Sequence, residues 1–72
     1  MTYEEARKTI TPGSYSHFKG KEYEVIGVAR HSETLEPVVV YKALYGNRDI
    51  WIRSADMWQE EVGNGVKRFI HI

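Results

Sequence analysis

Turn-forming residues recur about every ten residues along this chain, and that spacing restricts its fold more than any other feature. The turns lie at residues 19–21, 31–37, 46–49 and 63–65. Between them run short segments in which apolar and polar residues alternate, as they do in antiparallel strands with one buried face. The pattern therefore predicts a small antiparallel β-barrel or sandwich.

The length predicts one domain over residues 1–72, with a helix and linker at 1–12 and a β-barrel at 13–70. A chain this short buries only about 60% of the surface that its unfolded form exposes. It has no cysteine, so disulfides and thiolate metal sites are excluded. We therefore expect the two tryptophans, five tyrosines and two phenylalanines to fill the core.

Ten basic and ten acidic residues cancel, so the overall charge does not point to nucleic acid. A net charge of zero also favours self-association. No apolar stretch approaches the ~20 residues of a membrane helix. The segment 1–5 contains two glutamates and lacks the apolar region of a secretory signal. We expect a cytoplasmic protein without a membrane partner.

Residues 2–10 are predicted to form a short helix. Thr2 and Glu5 have the spacing of a capping box. Tyr3, Ala6 and Ile10 fall on one face, which we expect to dock on the β-structure.

The remaining pattern predicts strands at residues 14–18, 22–30, 38–45, 50–53 and 66–70, with a helical turn at 55–62 closed by Gly63. Gly27 lies inside the longest strand and indicates a bulge or bend. The order predicts a mainly β fold: a five-stranded SH3-like barrel with a short N-terminal helix and one helical turn before the last strand. Sm-like and OB-like barrels are the alternatives.

Several segments carry a family resemblance: residues 13–23 (GSYSHFKGKEY), 28–37 (VARHSETLEP), 39–46 (VVYKALYG), 51–53 (WIR) and the closing Arg68-Phe69. Together they resemble the small bacterial family catalogued as domain of unknown function 1653. Ser54 departs from the proline expected after the arginine. The resemblance implies a compact, SH3-like bacterial cytoplasmic domain, and it brings no activity because the family has none assigned.

The densest polar cluster is the loop that begins at residue 30. Arg30 offers a planar fork to a carboxylate or phosphate, and His31 changes protonation near neutral pH. Ser32, Glu33 and Thr34 carry groups that hydrogen-bond a ligand. The structural interpretation is that Ser32 and Thr34 close the turn and that Glu33 pairs with Arg30.

Four strand residues complete the predicted site. His17 and Arg53 supply polar groups, and Tyr41 and Trp51, with Tyr15, supply flat apolar walls. In the structural interpretation, His17 hydrogen-bonds to a main-chain group and Arg53 pairs with an acidic residue. The aromatic rings then pack in the core.

These residues predict a binding or adaptor module that holds a peptide segment or a small anionic or polar ligand. The site would lie between the 31–37 loop and the strands of Tyr41 and Arg53, with His17 at its rim. Three rival functions are a nucleic-acid-binding barrel, a small hydrolase-like enzyme that uses His31 and Glu33, and a homodimer joined at an exposed sheet edge.

Catalysis and metal binding are not expected. His31, Ser32 and Glu33 are adjacent in sequence and diverge, whereas a catalytic nucleophile, base and orienting group must converge. The three histidines lack the spacing of metal ligands. No cofactor motif is present, so we expect no cofactor.

Overall fold

The computed structural model describes all 72 residues. Its elements are α1 (Tyr3–Thr9), β1 (Gly13–His17), β2 (Glu22–Arg30), β3 (Pro37–Ala43), β4 (Ile50–Ser54), α2 (Ala55–Trp58), β5 (Glu61–Gly63), β6 (Val66–Lys67) and β7 (Phe69–His71). Neither helix has the length or hydropathy that crossing a bilayer requires. The fold is mainly β, as predicted.

Five strands form one antiparallel sheet in the order β4-β3-β2-β1-β7, and β5 and β6 form a separate two-stranded sheet. The strands β4 and β7 do not pair with each other, so the sheet keeps two edges. The closed barrel expected from the sequence is therefore not found. An SH3-like relationship stays a prediction.

The five-stranded sheet is strongly curved. The guanidinium carbon of Arg53 on β4 lies 5.6 Å from the ring centroid of Phe69 on β7. Four strand spacings of about 4.8 Å would place these strands about 19 Å apart in a flat sheet. The register shifts between Val25 and Gly27, which confirms the bulge predicted in β2 and contributes to the bend.

The hydrophobic core lies on the concave face of this sheet, beneath both helices. Its buried residues are Ala6, Ile10, Tyr15, Val25, Val39, Tyr41, Ala55, Trp58 and Phe69. Ala6 and Ile10 come from the predicted face of α1, so that face does dock. Four of the nine are aromatic, and rings of this size supply much of the buried area that a short chain needs.

The predicted capping box begins α1. The Thr2 hydroxyl oxygen accepts a hydrogen bond from the Glu5 N–H at 3.1 Å, and the Glu5 carboxylate accepts one from the Thr2 N–H at 2.7 Å. These bonds hold the pKa of Glu5 below its ordinary value. The box offsets the weakness of a seven-residue helix, which is unstable alone.

The prediction was wrong after β4. The helical turn expected over residues 55–62 ends at Trp58, and Gly63 belongs to strand β5. Asn64 and Gly65 adopt left-handed backbone angles, with φ of 50° and 77°, as the central residues of a tight hairpin do. The predicted strand at 66–70 is divided into β6 and β7.

Candidate functional site

Three consecutive large apolar side chains on the edge strand β4 remain accessible. Ile50 and Ile52 are each 62% exposed, and Trp51 is 54% exposed. An accessible apolar edge strand is a template for pairing with another chain, and most proteins protect such edges with charges, proline or a covering element. The strand β4 contains no proline, and Arg53 is its one charged residue. These three residues, called the β4 edge below, form the first candidate for a binding surface.

The free main-chain groups of the β4 edge belong to Ile50 and Ile52. The Ala43 N–H donates to the Asp49 carbonyl oxygen at 3.0 Å. Because antiparallel partners alternate along the ladder, the odd-numbered residues of β4 turn their N–H and C=O groups toward β3. Ile50 and Ile52 turn theirs outward, where no strand lies.

An open groove of about 410 Å³ adjoins the β4 edge. It is lined by His31, Glu36, Val38, Ile52, Arg53, Ser54 and Met57. Ile52 belongs to both surfaces, and Met57 is 49% exposed at the groove wall. The edge thus continues into a concavity that offers apolar contact and polar groups from His31, Glu36, Arg53 and Ser54.

The loop after β2 is held by its own hydrogen bonds. The His31 Nδ1 accepts bonds from the main-chain N–H groups of Glu33 and Thr34 at 3.1 and 3.3 Å. The Thr34 hydroxyl accepts one from the Glu36 N–H at 3.2 Å. The side chains of Ser32 and Glu33 have no partner of this kind. Thr34 therefore closes the turn, as the structural interpretation predicts. The other side chain that accepts main-chain hydrogen bonds in this turn is His31, not Ser32.

Arg30 packs against α1. Its guanidinium carbon lies 3.9 Å from the ring centroid of Tyr3, and that of Arg7 approaches the same ring at 5.6 Å. The ion pair predicted between Arg30 and Glu33 is not formed. The cation–π contact instead joins α1 to the end of β2.

Arg53 extends its side chain over the concave face of the sheet. It lies opposite the fully buried Val39, and opposed residues of antiparallel strands project from one face. Its guanidinium lies against Phe69, and its Nε is buried without a hydrogen-bond partner. His31 shares the groove with Val38, from the opposite face. His31 and Arg53 nevertheless both line the groove beside β4, while the Arg53 guanidinium extends to Phe69.

Of the three predicted aromatic walls, Tyr15 and Tyr41 are buried and Trp51 is accessible. Tyr41 is 7% exposed and packs in the core, with its ring 4.9 Å from that of Trp58. Trp51 lies opposite Tyr41 in the register but remains accessible at the edge. Trp51 is thus the one of the pair that a partner can reach.

His17 lies on the concave face, away from the groove. Its Nδ1 accepts a hydrogen bond from the Lys19 N–H at 3.1 Å, and its ring packs edge-on against Phe69 at 5.0 Å. Burial lowers the pKa of His17, and the charges of Arg68, Arg53 and Lys19 lower it further. The fold therefore places His17 near Arg53. The main-chain partner agrees with the structural interpretation of this residue.

Tyr23 and Tyr45 share a hydrogen bond of 2.7 Å between their hydroxyl groups. Burial, followed by this hydrogen bond, raises the pKa of Tyr23 to about 12. No group of three histidine, aspartate or glutamate side chains is arranged to hold a metal ion.

Comparison with known proteins places this geometry in a family. The model of the protein of unknown function family DUF1653 matches residues 13–71. The chain belongs to the DUF1653 family. A crystal structure of a DUF1653 protein from Bordetella bronchiseptica is similar, with a TM-score of 0.80 and 37% identity, over 92% of this chain and 91% of that one. No curated protein matches the chain.

Within this DUF1653 domain, sequence reasoning missed Ile50 and Ile52 as surface residues. The sequence pattern predicts both residues only as members of the strand at 50–53. The run Ile50-Trp51-Ile52 places large apolar residues on both faces of β4, which an outer strand with one buried face does not require. That departure from alternation was the available signal.

Proposed function

We propose that this DUF1653 domain is a protein-binding module that takes up an extended segment of a partner along the β4 edge. The observation that carries the proposal is the accessible run Ile50-Trp51-Ile52 on a strand whose outer edge is unpaired. Strand addition of this kind uses main-chain hydrogen bonds for affinity and side-chain pockets for specificity. The outward main-chain groups of Ile50 and Ile52, and the groove that adjoins Ile52, support this mode of binding.

The energetic terms favour an apolar segment. Fully burying an isoleucine side chain contributes about 1.5–3 kcal/mol, and each main-chain bond adds about 0.5–1.5 kcal/mol. Ile50 and Ile52 offer both contributions, while ordering the partner opposes them. We therefore expect a partner segment with large apolar residues at alternate positions.

The groove supports a preference for side-chain size and polarity. Met57 is a flexible side chain that adapts to different apolar groups. Because the His31 Nδ1 accepts main-chain bonds, the Nε2 of the neutral ring carries the proton and is free to donate. A partner side chain with an apolar body and an acceptor at its end suits this groove.

Binding rather than catalysis is proposed because the reactive side chains do not converge. The His31 Nδ1 is used within its own loop, and the neighbouring Ser32 hydroxyl has no base beside it. A nucleophile and its base must lie within hydrogen-bond reach of each other.

Selection from a library of random displayed peptides tests the proposal, with a matched pair of variants. Ile52→Glu places a charge on the β4 edge, and Ile26→Glu changes an isoleucine of similar exposure, 50%, on β2. We expect selected peptides to bind the wild type and Ile26→Glu alike and to lose affinity for Ile52→Glu. Titrating one selected peptide into the labelled protein should slow amide exchange at Ile50 and Ile52.

Two results would contradict the proposal. One is a set of peptides that bind Ile52→Glu as tightly as the wild type. The other is protection that appears elsewhere while the amides of Ile50 and Ile52 keep exchanging freely. Thermal unfolding followed by circular dichroism confirms that both variants are folded.

A further inference from the structure

We infer that the segment taken up by β4 is the β4 strand of a second copy of this chain, which runs antiparallel and is centred on Trp51. The inference rests on the proposed function and names the partner of the same surface. In this arrangement two five-stranded sheets join edge to edge through a two-fold axis.

The register centred on Trp51 matches apolar residues with one another. Ile50 of one copy lies opposite Ile52 of the other, twice, and the two Trp51 residues face each other across the axis. All three are accessible in the single chain. Pairing therefore covers both faces of the β4 edge at once.

The main-chain pattern fits the same register. Ile50 and Ile52 turn their N–H and C=O groups outward, as the bond from Ala43 to Asp49 establishes. Opposed across the axis, Ile50 and Ile52 form hydrogen-bonded pairs. The two Trp51 residues then form a non-hydrogen-bonded pair, whose Cα atoms lie about 4.5 Å apart.

Charge selects this register over its neighbour. Centring on Trp51 places Asp49 of each copy opposite Arg53 of the other, and neither residue has an ion pair within its own chain. To reach Asp49, the Arg53 guanidinium turns from its contact with Phe69 toward the β4 edge. Centring on Ile52 keeps the main-chain pattern but places Arg53 opposite Trp51 and leaves Asp49 without a basic partner. The chain carries no net charge, so two copies approach without mutual repulsion.

Cysteine cross-linking tests the register directly, because the chain contains no cysteine of its own. We expect Trp51→Cys to form a disulfide dimer on mild oxidation, since the separation of the paired Cα atoms suits a disulfide. Neither Ile50→Cys nor Ile52→Cys should cross-link to itself. A mixture of these two variants should cross-link, and both variants retain Trp51.

Sedimentation velocity of the wild type should show dimers that form with increasing concentration. Asp49→Arg should weaken this association about fivefold, as the loss of two partly exposed ion pairs predicts. Mixing Asp49→Arg with Arg53→Asp should restore it. Circular dichroism checks that the Arg53 variant folds, and the cysteine test does not depend on that variant.

Different failures distinguish this inference from the proposed function. A wild type that stays monomeric, or an Ile52→Cys variant that cross-links to itself while Trp51→Cys does not, overturns the inference. If that monomer still binds selected peptides through Ile52, the proposed function stands with another partner. If it binds none, both are wrong.

Discussion

The indole of Trp58 lies parallel to the ring of Phe69, with 3.7 Å between centroids and an interplanar angle of 1°. Trp58 comes from α2 and Phe69 from β7, so this stack joins the short helix to one edge strand of the sheet. Trp58 is 2% exposed, and its ring also packs against Tyr15 and Tyr41. It is thus a central contact of a core with few residues.

Trp58→Ala is expected to abolish cooperative folding. Removing a buried tryptophan costs about 3–5 kcal/mol, and the core of a chain this short supplies about 3–5 kcal/mol in all. Trp51→Ala is the matched control, because Trp51 is exposed at the β4 edge. Urea unfolding followed by circular dichroism at low protein concentration should show a transition for Trp51→Ala only. Similar curves for both variants would contradict the assignment of Trp58 to the core.

His17 should titrate below 6.5, the ordinary value of a histidine. Burial, and then the positive charges of Arg68, Arg53 and Lys19, lower its pKa in the folded state. The unfolded chain therefore takes up the proton first. The stability that His17 contributes is full above pH 6.5 and is lost as the pH falls from there toward the lowered pKa.

Nuclear magnetic resonance of the imidazole nitrogens measures this pKa, with the urea-unfolded chain as the reference. Arg68→Gln should raise the pKa of His17, because it removes one of the charges that disfavour protonation. An unchanged pKa of His17 in Arg68→Gln would mean that the charge of Arg68 does not affect the protonation of the imidazole.

Tyr23 should ionise two pH units later than an ordinary tyrosine, at about 12 rather than 10.0. Burial disfavours the phenolate, followed by the hydrogen bond with Tyr45. Because the folded-state pKa is raised, the stability that this group contributes is lost as the pH rises from 10 toward 12. Ultraviolet titration of the wild type and of Tyr23→Phe should differ by one late-ionising group.

Tyr45→Phe separates the two causes. It should lower the pKa of Tyr23 part of the way toward 10, since burial remains. A full return to the ordinary value would show that the hydrogen bond alone is responsible.

His31→Ala should destabilise the domain by about 1 kcal/mol, because two main-chain N–H groups at the protein surface exchange a fixed acceptor for water. His31→Asn should preserve most of the stability, since the amide oxygen occupies a place similar to that of Nδ1. Ser32→Ala is the control, because its hydroxyl forms no hydrogen bond. Urea unfolding measures all three, and an equal loss for Asn and Ala would contradict the role given to Nδ1.

The sequence predicted most of the elements, because each depends on residues close together along the chain. The Thr2–Glu5 cap, the bulge beside Gly27 and strand β2 follow from local chemistry. The turn at residues 63–65 is local as well and was predicted, but strand β5 before it was not, because the pattern predicts Gly63 as a helix end. Whether β4 and β7 pair is a long-range property that strand patterns do not decide.

The candidate site was less predictable for a related reason. Side-chain direction on a strand depends on register, and a shift of one residue exchanges the two faces. Arg53 and His31 line one groove, but the register turns the Arg53 side chain toward Val39 and Phe69 on the concave face. The exposure of Ile50 depends on which strand lies outermost, and only the assembled sheet establishes that order.

The bulge at Gly27 has a consequence for how the gene for this domain can vary. Tyr23 and Val25 point inward before the bulge, and Val28 points inward after it. The inward-facing residues of β2 are therefore odd-numbered before the bulge and even-numbered after it. Gly27 has open space around it, so alanine there should be tolerated. Deleting the residue would leave Val28 opposite Val39, because the bulge is one extra residue, but it would remove the bulge and with it part of the bend in β2. The identity of the residue at this place can therefore vary, whereas its presence maintains the curvature that brings β4 and β7 toward each other.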